Sequence, residues 1–217
     1  MNLALVSFYH QFTSPTMFEW HKKVFNNFNL PINYIPTSGE LSNYTHASAI
    51  DTFLRSTDAD YVILFDIDCI PLHSGVVSSI VDIIRDHKTI FGVAQQSNHI
   101  IKPNGSYCHP YAAPACFGIS RGVLETLDYP SFCPTDRGDT AEELTWLAEE
   151  NRKKIKLKLW YPIRYQKPCG DWYVGSLPYG IGTTYGEEMV YHTFFSHQQS
   201  SVDLFVKKCE ELSDRKA

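Results

Sequence analysis

Tyr61-Val62-Ile63-Leu64-Phe65-Asp66-Ile67-Asp68 is the stretch on which the fold of this chain turns. Five consecutive apolar residues, bounded by Asp60 before and Pro71 after, read as a strand buried on both faces, as in a sheet covered by helices on either side. Two carboxylates at i and i+2 on an extended backbone point the same way. At the C-terminal edge of a parallel sheet they lie where open α/β folds take their ligands. Like charges held that close call for a cation between them, and oxygen ligation suits Mg²⁺ or Mn²⁺ better than zinc. The competing reading is an Asp-X-Asp that merely punctuates a turn ahead of Pro71. Its place after five apolar residues favours the functional one.

The flanking sequence alternates strand and helix. Asn2–Tyr9 reads as a strand and Pro15–Asn27 as a helix capped by Ser14 with proline in its first turn. Ile32–Ile35 is a short strand, and Thr37-Ser38-Gly39 a loop. Asn43–Ser56 carries Ala47, Ile50 and Leu54 on one helical face, and Val76–Asp86 does the same with Val77, Ile80, Val81 and Ile84. Ile90–Ala94 is a further strand. This order predicts an α/β fold with a mainly parallel, Rossmann-like central sheet and helices on both faces. A small antiparallel element is expected in the second half.

That second half is less regular. Asn98–Pro114 reads as a long functional loop, Ala115–Ser120 as a strand, Gly122–Leu127 as a short helix. Thr140–Asn151 reads as a helix opened by a capping box, with Asp139 as N-cap and Glu142 at N3. Leu157–Tyr161 and Met189–Phe195 read as strands, the Gly-, Pro- and Tyr-rich segment Pro168–Gly186 between them as a loop, and the residues from Ser200 as a final helix. The basic run Arg152–Lys158 reads as a solvated helix end.

Composition narrows the function classes. The 217 residues suffice for one domain with a sizeable core. The charged end Asp214–Ala217 leaves room for the chain to be one domain of a longer polypeptide. A net charge of −5 without a long basic run leaves no electrostatic footprint for nucleic acid. No apolar segment nears a membrane span and no secretory signal is visible. Six cysteines without C-x-x-C spacing fit a reducing compartment, the cytoplasm.

Three pieces in order carry a resemblance. Thr45-His46-Ala47 through Asp51 followed by Thr57–Asp68, then Gly138-Asp139-Thr140-Ala141-Glu142-Glu143-Leu144, then Val190-Tyr191-His192, resemble the helix–strand–DxD core, the acidic helix start and the late histidine strand of GT-A fold glycosyltransferases. The chain is also similar to small glycosyltransferase domains encoded by large algal viruses (chloroviruses), which build capsid-protein glycans. The resemblance implies a metal-dependent transfer of a glucose- or rhamnose-like sugar from a UDP-sugar to a glycan acceptor. It implies Mn²⁺ or Mg²⁺ at Asp66, Asp68 and His192, with Asp66 assisting through the ribose or a metal-bound water. Ser7 and Tyr9 would meet the nucleotide base, His46 would lie near the donor, and Asp139 would face the acceptor, as the general base if the reaction inverts. Residues about 1–96 would form the nucleotide-binding half and about 97–217 the acceptor-binding half. Tyr107, Tyr111, Trp172 and Tyr173 would be acceptor platforms, and Gly175–Gly186 a lid or simply turns.

Each role has a structural alternative: His192 and Tyr9 as core residues, Asp139 as a helix cap, His197 as the imidazole ligand instead of His192. Inverting and retaining outcomes both remain open in the residue pattern. Gly138, where the family often has an acid, leans towards retention. Two other function classes compete. A haloacid-dehalogenase-like phosphatase also ends a strand in Asp-x-Asp, but it asks for Thr or Val where Ile70 stands, and its motif usually opens the chain. A non-catalytic carbohydrate- or nucleotide-binding module would have little reason to keep both aspartates with His192.

Overall fold

The structure is a computed structural model describing residues 2–40, 42–97 and 109–214. Its first half follows the expected alternation: β1 (Leu3–His10), α1 (Pro15–Asn27), β2 (Asn33–Thr37), α2 (Asn43–Ser56) and β3 (Tyr61–Phe65). Both helix starts are capped by a serine. Ser14 Oγ accepts from the Met17 N–H ahead of the Pro15 turn, and Ser42 Oγ accepts from the Thr45 N–H at 3.1 Å. After β3 come β4 (Cys69–Pro71), α3 (Val76–Ile84), β5 (Thr89–Gln96), β6 (Pro110–Ser120), α4 (Arg121–Thr126) and α5 (Glu142–Glu150). The rest is β7 (Lys156–Trp160), β8 (Pro162–Arg164), β9 (Lys167–Val174), β10 (Leu177–Ile181), β11 (Thr183–Tyr185), β12 (Val190–His192) and α6 (Gln199–Asp214). No helix among the described residues is long and apolar enough to cross a membrane.

The main sheet runs β2-β1-β3-β6-β5-β7. All five β3 residues are buried, and the pleat divides them. Tyr61, Ile63 and Phe65 pack with Met17 and Phe25 of α1, Ile80 of α3 and Phe205 of α6. Val62 and Leu64 pack with Ala47 and Ile50 of α2, Val123 of α4 and Leu144 of α5 on the other face. Each fully covered side chain of this size contributes on the order of 1.5–3 kcal/mol, so an uninterrupted apolar run is what such a strand requires.

Pairing is parallel between β1 and β2, β1 and β3, and β5 and β7, which bears out a mainly parallel sheet. The exception is β6, antiparallel to both β3 and β5. Gln96 at the end of β5 pairs with Pro110 at the start of β6, so the two strands lie side by side in opposite directions. The expected loop Asn98–Pro114 is corrected accordingly. Residues 110–114 belong to β6, while 98–108, with Tyr107, lie outside the described residues.

The antiparallel element consists of a four-stranded sheet, β4-β12-β11-β8, and the hairpin β9–β10. The expected loop Pro168–Gly186 is therefore strand for most of its length. Gly175, at φ +63°, opens the two-residue connection between the paired Val174 and Leu177, as a mirror-type hairpin turn demands. Gly180 has its backbone against the Lys167 carbonyl, where a Cβ would lie 2.2 Å from the oxygen. Thr183–Tyr185 is buried in the four-stranded sheet, so 175–186 is not a free lid. The basic run is also divided: α5 ends at Glu150, and Lys156 and Lys158 are exposed positions of β7.

Candidate active site

The strand ends at Phe65, and Asp66–Cys69 form a turn closed by the Cys69 N–H on the Asp66 carbonyl at 2.9 Å. The extended i, i+2 geometry expected for Asp66 and Asp68 is thus replaced by a turn into β4. The two carboxylates still open onto one cavity, each facing a different imidazole. Asp66 Oδ1 lies 3.2 Å from His46 Nε2, side chains 25% and 29% exposed. Asp68 Oδ1 lies 3.3 Å from His192 Nε2, with both side chains nearly closed off from solvent. Both distances are ion-pair contacts.

These pairs polarise each other. Burial opposes charge on His46, but Asp66, and Asp68 behind it, outweigh that and raise its pKa above the ordinary 6.5. Burial likewise pushes Asp66 up, but His46 first, then His192 and His21, hold it below the ordinary carboxylate value. His192 Nδ1 is buried without a hydrogen-bond partner among the described residues.

The cavity measures about 450 Å³ and takes in the end of β1, the first turn of α2, the Asp66–Asp68 turn and the segment after β12. Tyr9, His46, Asp66, Asp68, His192 and His197 all line it. A second cavity of about 180 Å³ shares Asn43, His46, Asp66, His192 and Phe194 with the first, and adds Asp139, Thr140 and Tyr111. Among the described residues no Lys or Arg lines either cavity, and four histidines line the larger one, including His10, whose Nε2 lies 2.9 Å from the Gly39 carbonyl.

Asp139 is not the helix cap expected of it. Ala141 holds the cap position at φ +65°, tied to the Phe132 carbonyl, so the helix starts only at Glu142. Half of the capping box survives, since a Glu142 carboxylate oxygen accepts from the Asp139 N–H at 2.9 Å. The Asp139 carboxylate faces the smaller cavity, where Oδ1 accepts from Asn43 Nδ2 at 2.9 Å and from the Thr140 N–H at 2.7 Å.

The remaining expected residues are scattered. Ser7 is fully buried, its hydroxyl unpartnered among the described residues, and it lines neither cavity. The Tyr9 ring reaches the larger cavity and packs on Phe18 at 4.9 Å. Tyr111 lines the smaller cavity and donates to Gln95 Oε1 at 3.2 Å. Trp172 is committed to a cluster with Tyr179 and Phe194, and the half-exposed Tyr173 lines neither cavity.

Two residues on the cavity walls were not expected from the sequence. Asn43 lines both cavities and links α2 to Asp139; its place directly after a serine cap was the available signal. Phe194, its ring tilted against that of His192 with centroids 3.9 Å apart, is followed by Phe195, both at positive φ (61° and 47°), a backbone state bulky residues rarely adopt. No local sequence signal marks that pair.

Among the described residues no group of three or more His, Cys, Asp or Glu side chains is arranged to hold a metal ion. The donors present nonetheless fit one in kind. Mg²⁺ and related ions are commonly held by one or two carboxylates together with substrate phosphates rather than by an all-protein cage. An Asp68 oxygen with the His192 imidazole suits Mn²⁺.

No family model matches the chain, and no curated protein does. Solved structures do. The mannosyltransferase PcManGT from Pyrobaculum calidifontis, in complex with GDP-Man and Mn²⁺, matches with a TM-score of 0.50 at 12% identity, over 73% of this chain and 54% of its own. This chain thus spans about half the length of that enzyme. A cytidylyltransferase from Leptospira borgpetersenii serovar Hardjo-bovis matches at TM-score 0.45 and 12% identity, over 76% of this chain and 77% of that one. A glycosyltransferase involved in the glycosylation of the major capsid of PBCV-1 matches at 0.39 and 12%, over 69% and 66%. What the first of these likenesses shows is the fold alone, the GT-A arrangement.

Proposed function

We propose that this protein is a metal-dependent glycosyltransferase that moves a glucose- or rhamnose-like sugar from a UDP-sugar to a glycan acceptor. The observation that carries the reading is the larger cavity itself. It lies at the C-terminal ends of β1 and β3, holds Asp66, Asp68, His46 and His192 together, and is lined, among the described residues, by no Lys or Arg to balance a diphosphate. A bound Mn²⁺ or Mg²⁺, held by Asp68 and His192 with Asp66 beside them, would supply the positive charge that a departing nucleoside diphosphate requires.

The chain's own residues divide the rest of the work. Tyr9 offers a ring face to the base, and the first turn of α2 presents Asn43 and His46 between the two cavities. Asp139 sits in the smaller cavity, anchored by Asn43, where it orients sugar hydroxyls. We favour retention of anomeric configuration, in which the leaving phosphate takes the acceptor proton and Asp139 need not act as a base. The nucleotide is bound chiefly by residues 1–96 and the acceptor by residues from 97 onward. The acceptor we propose, on the sequence resemblance, is a glycan of a viral capsid glycoprotein, built in the host cytoplasm.

The test is a panel of nucleotide sugars with and without Mn²⁺, read as thermal stabilisation. A ligand at a hundred times its Kd adds about 2.7 kcal/mol, roughly 5–11 °C for a chain of this size. UDP-sugars should stabilise only with the metal, and Asp68→Ala should abolish that increment. Metal-independent stabilisation, or none from any nucleotide diphosphate, overturns the proposal. Turnover of a simple phosphate monoester without any nucleotide sugar would restore the phosphatase alternative.

A further inference from the structure

We infer that Thr193 is a positioning residue that sets the separation of Asp68 and His192; this rests on the metal-dependent reading above. β4 and β12 pair antiparallel with Cys69 opposite His192, which places Asp68 opposite Thr193. In a regular ladder neighbouring positions point to opposite faces, so Asp68 and His192 would diverge. Instead Asp68 Oδ1 lies 3.3 Å from His192 Nε2. The turn at Asp66–Cys69 rotates Asp68 out of the ladder, and its backbone must be held there.

Thr193 does the holding with two donors from one residue. Its N–H donates to the Asp68 carbonyl at 3.0 Å, and its Oγ1 donates to the same oxygen at 3.1 Å. Both lone pairs of that carbonyl are thereby engaged, and Thr193 is wholly buried, so water does not replace the hydroxyl. Its chain neighbour His192 is the other half of the pair. Any tilt of the Asp68 peptide therefore changes the carboxylate–imidazole distance directly. Thr193 touches neither the cavity nor a substrate; it acts through Asp68.

The experiment compares Thr193→Val, which keeps the shape and loses the hydroxyl, with Thr193→Ser, which keeps the hydroxyl. Mn²⁺ is titrated in the presence of UDP and its binding followed by the Mn²⁺ paramagnetic resonance signal, alongside kcat and donor KM at each Mn²⁺ concentration. Loss of a residue supporting a metal ligand typically costs about 10–100-fold in metal affinity. Thr193→Val should raise the Mn²⁺ Kd by roughly that factor, recover its kcat at saturating Mn²⁺ and leave donor KM there nearly unchanged. Thr193→Ser should stay within about threefold of the parent. A Val variant with parental Mn²⁺ affinity, or a Ser variant as weak as Val, overturns the inference while leaving the glycosyltransferase reading intact. A parent protein that binds no Mn²⁺ with UDP overturns both. If the Val variant does not fold, Thr193→Ser against Thr193→Ala poses the same question, since both lack the methyl and one retains the hydroxyl.

Discussion

His21 should make the stability of this protein fall steeply as the solution is acidified. The side chain is fully buried, with its ring stacked 4.6 Å from Phe25. Nε2 lies 3.0 Å from the Cys69 carbonyl, which only accepts, so Nε2 carries the hydrogen. Nδ1 lies 2.8 Å from the Tyr34 hydroxyl and accepts its hydrogen bond. The neutral ring is satisfied, and burial lowers its pKa to about 3, against smaller opposing effects of the Cys69 and Asp66 backbones and the Asp66 charge. The unfolded chain binds a proton below about 6.5 and the folded one does not until about 3, so stability is present at neutral pH and lost as pH falls through that window. Each unit is worth about 1.36 kcal/mol. From pH 7.5 to 5.0 the loss is about 2 kcal/mol, or roughly 4–8 °C in Tm. His46, whose pKa is raised, works in the opposite direction, stabilising on acidification, so the raw profile mixes the two. Urea unfolding of the parent and of His21→Gln at both pH values isolates the His21 share, because Gln does not titrate. The parent should lose about 2 kcal/mol more than the variant on acidification. Equal losses would show that His21 takes up its proton in the folded state, and the reasoning from burial would fail.

Three other outcomes are expected. His192→Ala should weaken Mn²⁺ binding by at least about tenfold, whereas His197→Ala should change it little; the reverse ranking, measured by titration with UDP present, would move the ligand to His197. Asp139→Asn should leave donor affinity intact and lower kcat modestly, since it loses orientation rather than a base. A loss of about 10²–10⁴-fold would mark a general base and argue for inversion. Gly180→Ala forces a Cβ against the Lys167 carbonyl oxygen and should destabilise the protein by about 1–3 kcal/mol in urea; a neutral variant would mean that the β9–β10 pairing yields easily.

The parts of this protein that were legible in its sequence are those written by a local period. β3 announced itself because a strand covered on both faces calls for an unbroken apolar run, and α2 did so because Ala47, Ile50 and Leu54 fall on one face within a short window. The acidic pair, His46, Asp139 and His192 could be singled out from their residue types and order. What escaped depends on distant partners. The hairpin β9–β10 is largely exposed and has no buried face to impose an alternation, so its glycines and prolines read as loop. The reversal of β6 is decided by where the chain re-enters the sheet. Asp66 and Asp68 were visible as chemistry, but the turn that aims them is held by Thr193, which lies 125 residues along the chain from Asp68. The sequence by itself determined which ionisable side chains stand at the end of the buried strand, because such groups are costly there and conspicuous. Only the tertiary structure decided their pairing, because a contact across two strands depends on register and on how the backbone is twisted there.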